Sequence, residues 1–190
     1  MPMNLAHRRL CASAKWSRKM RHRVADRLDG FDLGADPLEI GPGFGATTRA
    51  LLREHARALT ALEIDPASAR QLQEEFGDRA RIVRGDGVDM PFDDDTFSAV
   101  VCFTMLHHVP SVAAQDAMLA EARRVLRPGG LLLGTDSQTS LRFRLLHVGD
   151  TMNVLDPVVL PERLRRAGFE HPEVDHVPKQ LVRFTATKPA

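Results

Sequence analysis

The stretch Glu39-Ile40-Gly41-Pro42-Gly43-Phe44-Gly45-Ala46 ends an apolar run in a carboxylate and then places glycine at three alternate positions. A strand entering a glycine-rich turn and then a helix, here predicted from Thr47 to Ala56, brings bare backbone close to a ligand where a side chain would clash. In an α/β protein such a turn lies at the carboxyl edge of the sheet, where ligands bind. Taken alone, it fits several nucleotide-type cofactors.

Outward from the turn, strand and helix signals alternate. Pro37–Ile40, Leu59–Ile64, Arg81–Val83, Phe97–Phe103 and Leu131–Gly134 read as strands. Pro66–Phe76 reads as a helix, with Asp65 placed to cap it and Pro66 in its first turn. Ser111 can cap a second helix over Ala113–Leu126, stopped by Pro128-Gly129-Gly130. This alternation predicts a mainly parallel sheet with helices on both faces. Near the end, Leu160–Ala167 is a short helix. Glu173–Val177 and Leu181–Thr187 then flank Pro178-Lys179-Gln180 too closely for a parallel crossover, so they form an antiparallel hairpin. Residues 137–157 are irregular, with an apolar–basic stretch at Leu141–Leu146.

A chain of 190 residues, 43% hydrophobic, suits one globular domain with a substantial core. A net charge of +1 points to no charged partner. Residues 1–25 are uneven, carrying Arg8, Arg9, Lys15, Arg18, Lys19, Arg21 and Arg23 and no acid. Interleaved Leu10, Trp16, Met20 and Val24 favour a cap helix with Trp16 inward; a transit peptide or an anionic-surface patch are the other readings. No run reaches the ~20 apolar residues of a membrane span. Cys11 and Cys102 form neither a disulfide framework nor a metal motif, so a reducing, cytoplasmic location is expected.

Three further features fall on the ligand edge. Glu63 closes the second strand, where a carboxylate can accept both hydroxyls of a ribose. Gly85-Asp86-Gly87 follows the third strand; there Asp86 suits an exocyclic amine and the Gly87 N–H a ring nitrogen. Phe103-Thr104-Met105-Leu106-His107-His108 follows the fourth. Gly41, Gly43 and Ala46 with Glu63 also satisfy a dinucleotide fingerprint. Against that reading, Glu39 suits a cationic ligand, Pro42 removes a donor a phosphate would use, and a terminal hairpin is foreign to an ordinary dinucleotide fold. An adenosine without phosphate, bearing an ammonium and a sulfonium, fits better: S-adenosylmethionine.

These motifs, with Ala61-Leu62-Glu63-Ile64-Asp65, Gly85 to Phe92, Leu106-His107-His108-Val109 and Arg124 to Gly130, resemble in order those of class I S-adenosylmethionine-dependent methyltransferases. The similarity is greatest to the small-molecule subgroup called methyltransferase type 11. It implies a Rossmann-like, doubly wound α/β fold with a seven-stranded sheet, mainly parallel with an antiparallel C-terminal hairpin. It also implies roles by position. Glu39, Gly41, Gly43 and Gly45 would lie under the methionine part of the cofactor, and Glu63 would hold the ribose. Asp86 and Gly87 would hold the adenine, with Ile64 and Phe92 as apolar walls. Phe103 and Thr104 would face the methyl group and the acceptor. Phe103-Thr104-Met105-Leu106 departs from the fourth motif of nucleic-acid amine methyltransferases, which counts against base methylation.

Methyl transfer from a sulfonium is an in-line displacement that needs positioning more than covalent help. A base is required only for an acceptor that must lose a proton. His108, then His107, are the expected candidates because imidazole titrates near neutrality, with purely structural histidines as the alternative. His147 and His176 enter only if their segments fold over the pocket. No metal is expected, since no third ligand sits at recognisable spacing. Trp16, Met20 and Phe143, with nearby arginines, are expected to enclose an apolar acceptor with an anionic part.

The expected layout is one domain, 1–190. It comprises an N-terminal helical cap (1–33), a cofactor-binding core (34–136), a substrate-side segment (137–160) and a C-terminal helix and hairpin (161–190). The expected function is methylation of a small molecule, yielding S-adenosylhomocysteine, by a monomer or homodimer. The alternatives are a nucleic-acid (rRNA) or protein methyltransferase and a non-catalytic cofactor-binding module.

Overall fold

Strand β1 (Pro37–Ile40) lies inside the sheet, paired in parallel with β2 (Leu59–Glu63) on one side and β4 (Phe97–Phe103) on the other. All its residues are buried, as expected of a strand covered on both faces. β3 (Ala80–Arg84) extends the sheet beyond β2, and β5 (Leu126–Ser137) beyond β4. β7 (Leu181–Thr187) pairs antiparallel with both β5 and β6 (Glu170–Val177), giving the order β3-β2-β1-β4-β5-β7-β6. This is a Rossmann-like class of sheet with the expected terminal hairpin. The computed structural model describes residues 4–54, 58–178 and 180–190. The predicted helix end at Ala56 and the turn residue Lys179 lie outside the described residues.

Helices α3 (Ala46–Glu54), α4 (Pro66–Phe76) and α5 (Val112–Val125) follow β1, β2 and β4. Their starts are written in the sequence. The Asp65 side chain accepts from the Ser68 N–H at 2.8 Å, with Pro66 at the first helical position, and Ser111 accepts from the Ala114 N–H at 3.1 Å. Two buried clusters form the core. One joins β1, β4 and β5 to α5, α7 (Leu160–Arg166) and the hairpin. The other packs α2 (Ala14–Leu28), α3 and α4 on the opposite face. Met20, Val24 and Leu28 of α2 share that second cluster with Ala99, Val101 and Leu133 of the sheet. This sharing supports treating the cap and the core as parts of one domain.

The structure departs from expectation in three places. The single cap helix is two, α1 (Leu5–Cys11) and α2, because the Ser13 hydroxyl accepts from the Trp16 N–H at 3.1 Å and starts a new helix. β5 begins at Leu126, directly after α5. Pro128-Gly129-Gly130 therefore lies within the strand, beside a register shift against Phe97 and Ala99. The segment expected to be irregular contains α6 (Leu141–Leu146), whose cap Ser140 accepts from the Phe143 N–H at 3.2 Å.

Candidate active site at the carboxyl edge of the sheet

The three glycines of the turn all have positive φ, at 67°, 55° and 73° for Gly41, Gly43 and Gly45, but their surroundings differ. A Cβ on Gly45 would lie 2.6 Å from the Phe76 ring and 3.0 Å from Leu72, so this glycine lets α4 close onto the turn. Gly45 itself does not line the cavity, though its neighbours Phe44 and Ala46 do. A Cβ on Gly41 would press on Met105 at 3.0 Å. Nothing lies within 4 Å of a Cβ on Gly43, whose open side faces the cavity, and its N–H donates to the Glu63 carboxylate at 2.9 Å. Gly43 is thus the backbone a ligand can approach. Gly87 resembles Gly45, since a Cβ there would meet Met118 at 2.6 Å.

Glu39 is buried beneath the turn rather than in the cavity wall. Its carboxylate accepts from both the Thr47 hydroxyl and the Thr48 hydroxyl, the latter at 2.7 Å, tying β1 to the first turn of α3. Glu39 therefore supports the turn from below. Burial raises its pKa from 4.5 to about 7; the threonine hydroxyls oppose this rise, and Glu63 adds to it. The folded state thus holds a proton that the unfolded chain releases between pH 4.5 and 7. Stability is expected to fall as pH rises through that window and to level off above it. Denaturant unfolding of wild type and Glu39→Gln at several pH values checks this: the slope should vanish in the variant.

The Glu63 carboxylate, buried at the end of β2, accepts from the N–H groups of Gly43 and Asp65, each at 2.9 Å. With Gly41, Gly43, Ile64, Ser68, Met105 and His108 it lines a small cavity next to the main one. Ile64 is 45% exposed there, an apolar face left open beside a carboxylate. Asp86 follows β3, two residues beyond Arg84, the partner of Glu63 in the sheet. It is exposed on the same edge and accepts from the Val88 N–H at 3.1 Å. Neither Asp86 nor Gly87 lines the cavities, so the adenine assignment rests on their shared edge. Phe92 is half-buried and packs edge-on against Phe97 at 4.9 Å.

The main cavity has a volume of about 540 Å³. Its floor is Gly41 to Phe44 and the end of β4; its roof is α1, α2 and α6. Phe103 and Thr104 both line it. Thr104 has φ 53°, a strained conformation for a β-branched residue, held by its N–H donating to the Thr135 carbonyl at 2.7 Å. Trp16 and Phe143 reach the cavity, as expected. Met20 does not; it is wholly buried between α2 and the sheet. The short helix α6 turns Phe143, Leu146 and His147 inward and leaves Leu141, Arg144 and Leu145 exposed. Lys19 and Arg23 line the cavity from α2.

The histidines differ most from expectation. His108 is pushed down to about 2, first by burial and then by His107, His7 and His147, which makes it a very weak base at neutral pH. His107 is buried and fixed by Asp136, which accepts both its backbone N–H at 2.9 Å and its Nδ1–H. His147 does fold over the pocket, while His176 lies exposed on β6 outside the cavity lining. His107 joins no group of possible metal ligands among the described residues, but His108 meets two histidines from elsewhere in the chain. His7, His108 and His147 each offer a ligand atom, all within 4.8 Å of one another. Sequence spacing missed this cluster because its members come from α1, the turn after β4 and the end of α6.

This strand order, with a glycine turn after β1 and an acidic residue closing β2, defines the class I S-adenosylmethionine-dependent methyltransferase fold. Residues 38–134, just over half of the chain, match the profile of the type 11 methyltransferase domain, and the chain belongs to that family. It is 33% identical over 125 residues to demethylmenaquinone methyltransferase of Tropheryma whipplei, covering 64% of this chain and 49% of that protein. It is 32% identical over 115 residues to a sterol 24-C-methyltransferase of Gibberella zeae, covering 58% and 29%. The chain thus spans half or less of the length of these relatives. A solved complex of the Haloferax volcanii Trm112 methyltransferase activator contains a chain that matches over 100% of both chains, with TM-score 0.75 and 17% identity. Among the described residues, no helix is long and apolar enough to cross a membrane.

Proposed function

We propose that this chain transfers a methyl group from S-adenosylmethionine to a small, largely apolar acceptor with an anionic part. The observation that carries the reading is the adjacency of the two cavities. They share Gly41, Gly43, Phe44, Met105 and His108 as walls, so a ligand held at Glu63 lies beside a larger chamber roofed by Trp16 and Phe143. The residues fit the cofactor: Glu63 for the ribose, the open face of Gly43 for close approach, Ile64 for the base, and Asp86 with Gly87 for the adenine edge. When bound, the cofactor supplies an electrophilic methyl group. The chain's own residues position and enclose. Phe103 and Thr104 set the wall nearest the acceptor, Trp16, Leu10 and Phe143 exclude water, and Lys19 and Arg23 attract an anionic group.

The relatives named for demethylmenaquinone and sterol methylation support an apolar acceptor. Two free cysteines support a reducing, cytoplasmic location. The test is incubation of the purified chain with methyl-labelled cofactor and three acceptor sets: quinone precursors and acidic lipids, neutral sterols, and ribosomal RNA. Label is expected in the first set. Label only on RNA overturns the small-molecule reading, and label only on neutral sterols overturns the anionic part. Cofactor binding without product in any set makes the chain a binding module.

A further inference from the structure

We infer that His7, His108 and His147 form a binding site for a divalent transition-metal ion of the zinc class in the wall of the main cavity. Three imidazoles are a donor set for zinc, copper, iron or nickel rather than for magnesium or calcium. Their ligand atoms lie within 4.8 Å of one another. Tetrahedral zinc with Zn–N of 2.0–2.1 Å needs them roughly 3.3 Å apart, so side-chain shifts of about 1 Å would close the site.

The second ring nitrogens carry the stronger argument. Metal-binding histidines characteristically donate their other N–H to a carboxylate or a backbone carbonyl, which fixes ring and tautomer. Two of the three do so here: His7 Nδ1 bonds Asp150 at 2.8 Å, and His147 Nδ1 bonds the Phe143 carbonyl at 2.8 Å. His147 Nε2 is left buried with no hydrogen-bond partner among the described residues, and a buried polar atom in that state is costly unless something else meets it. Asp150 is itself fixed, accepting from the Asn4 N–H at 2.6 Å.

Charge points the same way. Asp150 is buried and bonded to His7 of the cluster, and the buried Asp136 is bonded to His107, the chain neighbour of His108. A divalent cation would balance the Asp150 carboxylate while the imidazoles stay neutral, as ligation requires. Three protein ligands leave at least one coordination position, and the cavity's occupant could fill it with an oxygen or sulfur atom. Only that last step rests on the methyl-transfer reading.

The test uses the tag-free full chain, stripped of metal and titrated with Co²⁺ by visible absorption and with Zn²⁺ against a chromophoric chelator. One equivalent of each is expected to bind, with three imidazoles seen by X-ray absorption at the zinc edge. His147→Ala should abolish stoichiometric binding, and Asp150→Asn, at the residue that positions His7 and holds Asn4, should weaken Zn²⁺ about 10–100-fold. Cofactor affinity is measured in parallel on the same samples, so a failed metal site and a failed methyltransferase reading give different results. No stoichiometric Co²⁺ or Zn²⁺ binding by wild type overturns the proposal. Binding with fewer than two imidazoles, or binding unchanged in a folded His147→Ala, overturns it equally. If that variant does not fold, the wild-type absorption spectrum decides.

Discussion

Gly45→Ala is expected to destabilise the fold by about 2–5 kcal/mol and to lower the melting temperature by roughly 5–15 °C. Two costs combine. At φ 73° a Cβ meets the following carbonyl, which costs about 1–2 kcal/mol in the left-handed region. The same methyl group lands 2.6 Å from the Phe76 ring and 3.0 Å from Leu72, both almost fully buried. Forcing a methyl into such a contact adds about 1–3 kcal/mol. Against a typical stability of about 5–15 kcal/mol this is a large fraction. Gly43→Ala is the matched control. It carries the backbone cost alone, because nothing lies within 4 Å of its Cβ, but it fills the open space where the cofactor is proposed to approach. Thermal melts and cofactor calorimetry on both variants should therefore separate: Gly45→Ala loses mainly stability, and Gly43→Ala mainly affinity. A Gly45→Ala protein that melts with wild type would mean that α4 does not need this close approach.

The contrast between these glycines shows which information the sequence carries. The alternating strand and helix signals, the caps at Asp65 and Ser111, and the terminal hairpin are local, and local periodicity makes them legible. The glycine pattern marks a turn but cannot say which glycine meets a ligand and which meets Phe76, because that depends on α4 arriving from another part of the chain. Glu39 illustrates the same limit. A carboxylate before a glycine turn suggests a cationic ligand, yet the following helix supplies Thr47 and Thr48 one turn away, and they take its oxygens first. Met20 and Trp16 sit four residues apart on one helix, and only tertiary packing sends the first into the core and the second to the cavity. The histidine cluster is least legible of all. Its members are distant in sequence, and they meet because Asn4 ties α1 to the end of α6 through the Leu146 carbonyl at 2.7 Å and Asp150 at 2.6 Å.

Glu63→Ala should raise the dissociation constant for S-adenosylmethionine roughly 10–100-fold. Each hydrogen bond to a charged group contributes about 1.5–3 kcal/mol, and about 1.4 kcal/mol is a factor of ten. The carboxylate already accepts from the Gly43 and Asp65 N–H groups, so its loss acts twice. It removes acceptors for the ribose hydroxyls, and it releases the N–H that holds Gly43 in its open conformation. The carboxylate is buried, so part of the loss falls on folding stability, and thermal melts are run beside the binding measurements. Glu63→Gln separates the two effects. It keeps the shape and one acceptor oxygen but loses the charge, and should fall between wild type and Glu63→Ala. Because the loss lies at the ribose, affinity for 5′-methylthioadenosine should drop by the same factor as affinity for the whole cofactor. Calorimetry with both ligands measures this directly. An unchanged dissociation constant in a well-folded Glu63→Ala would assign the carboxylate to the turn alone, and the adenosine would then have to be sought elsewhere along the edge.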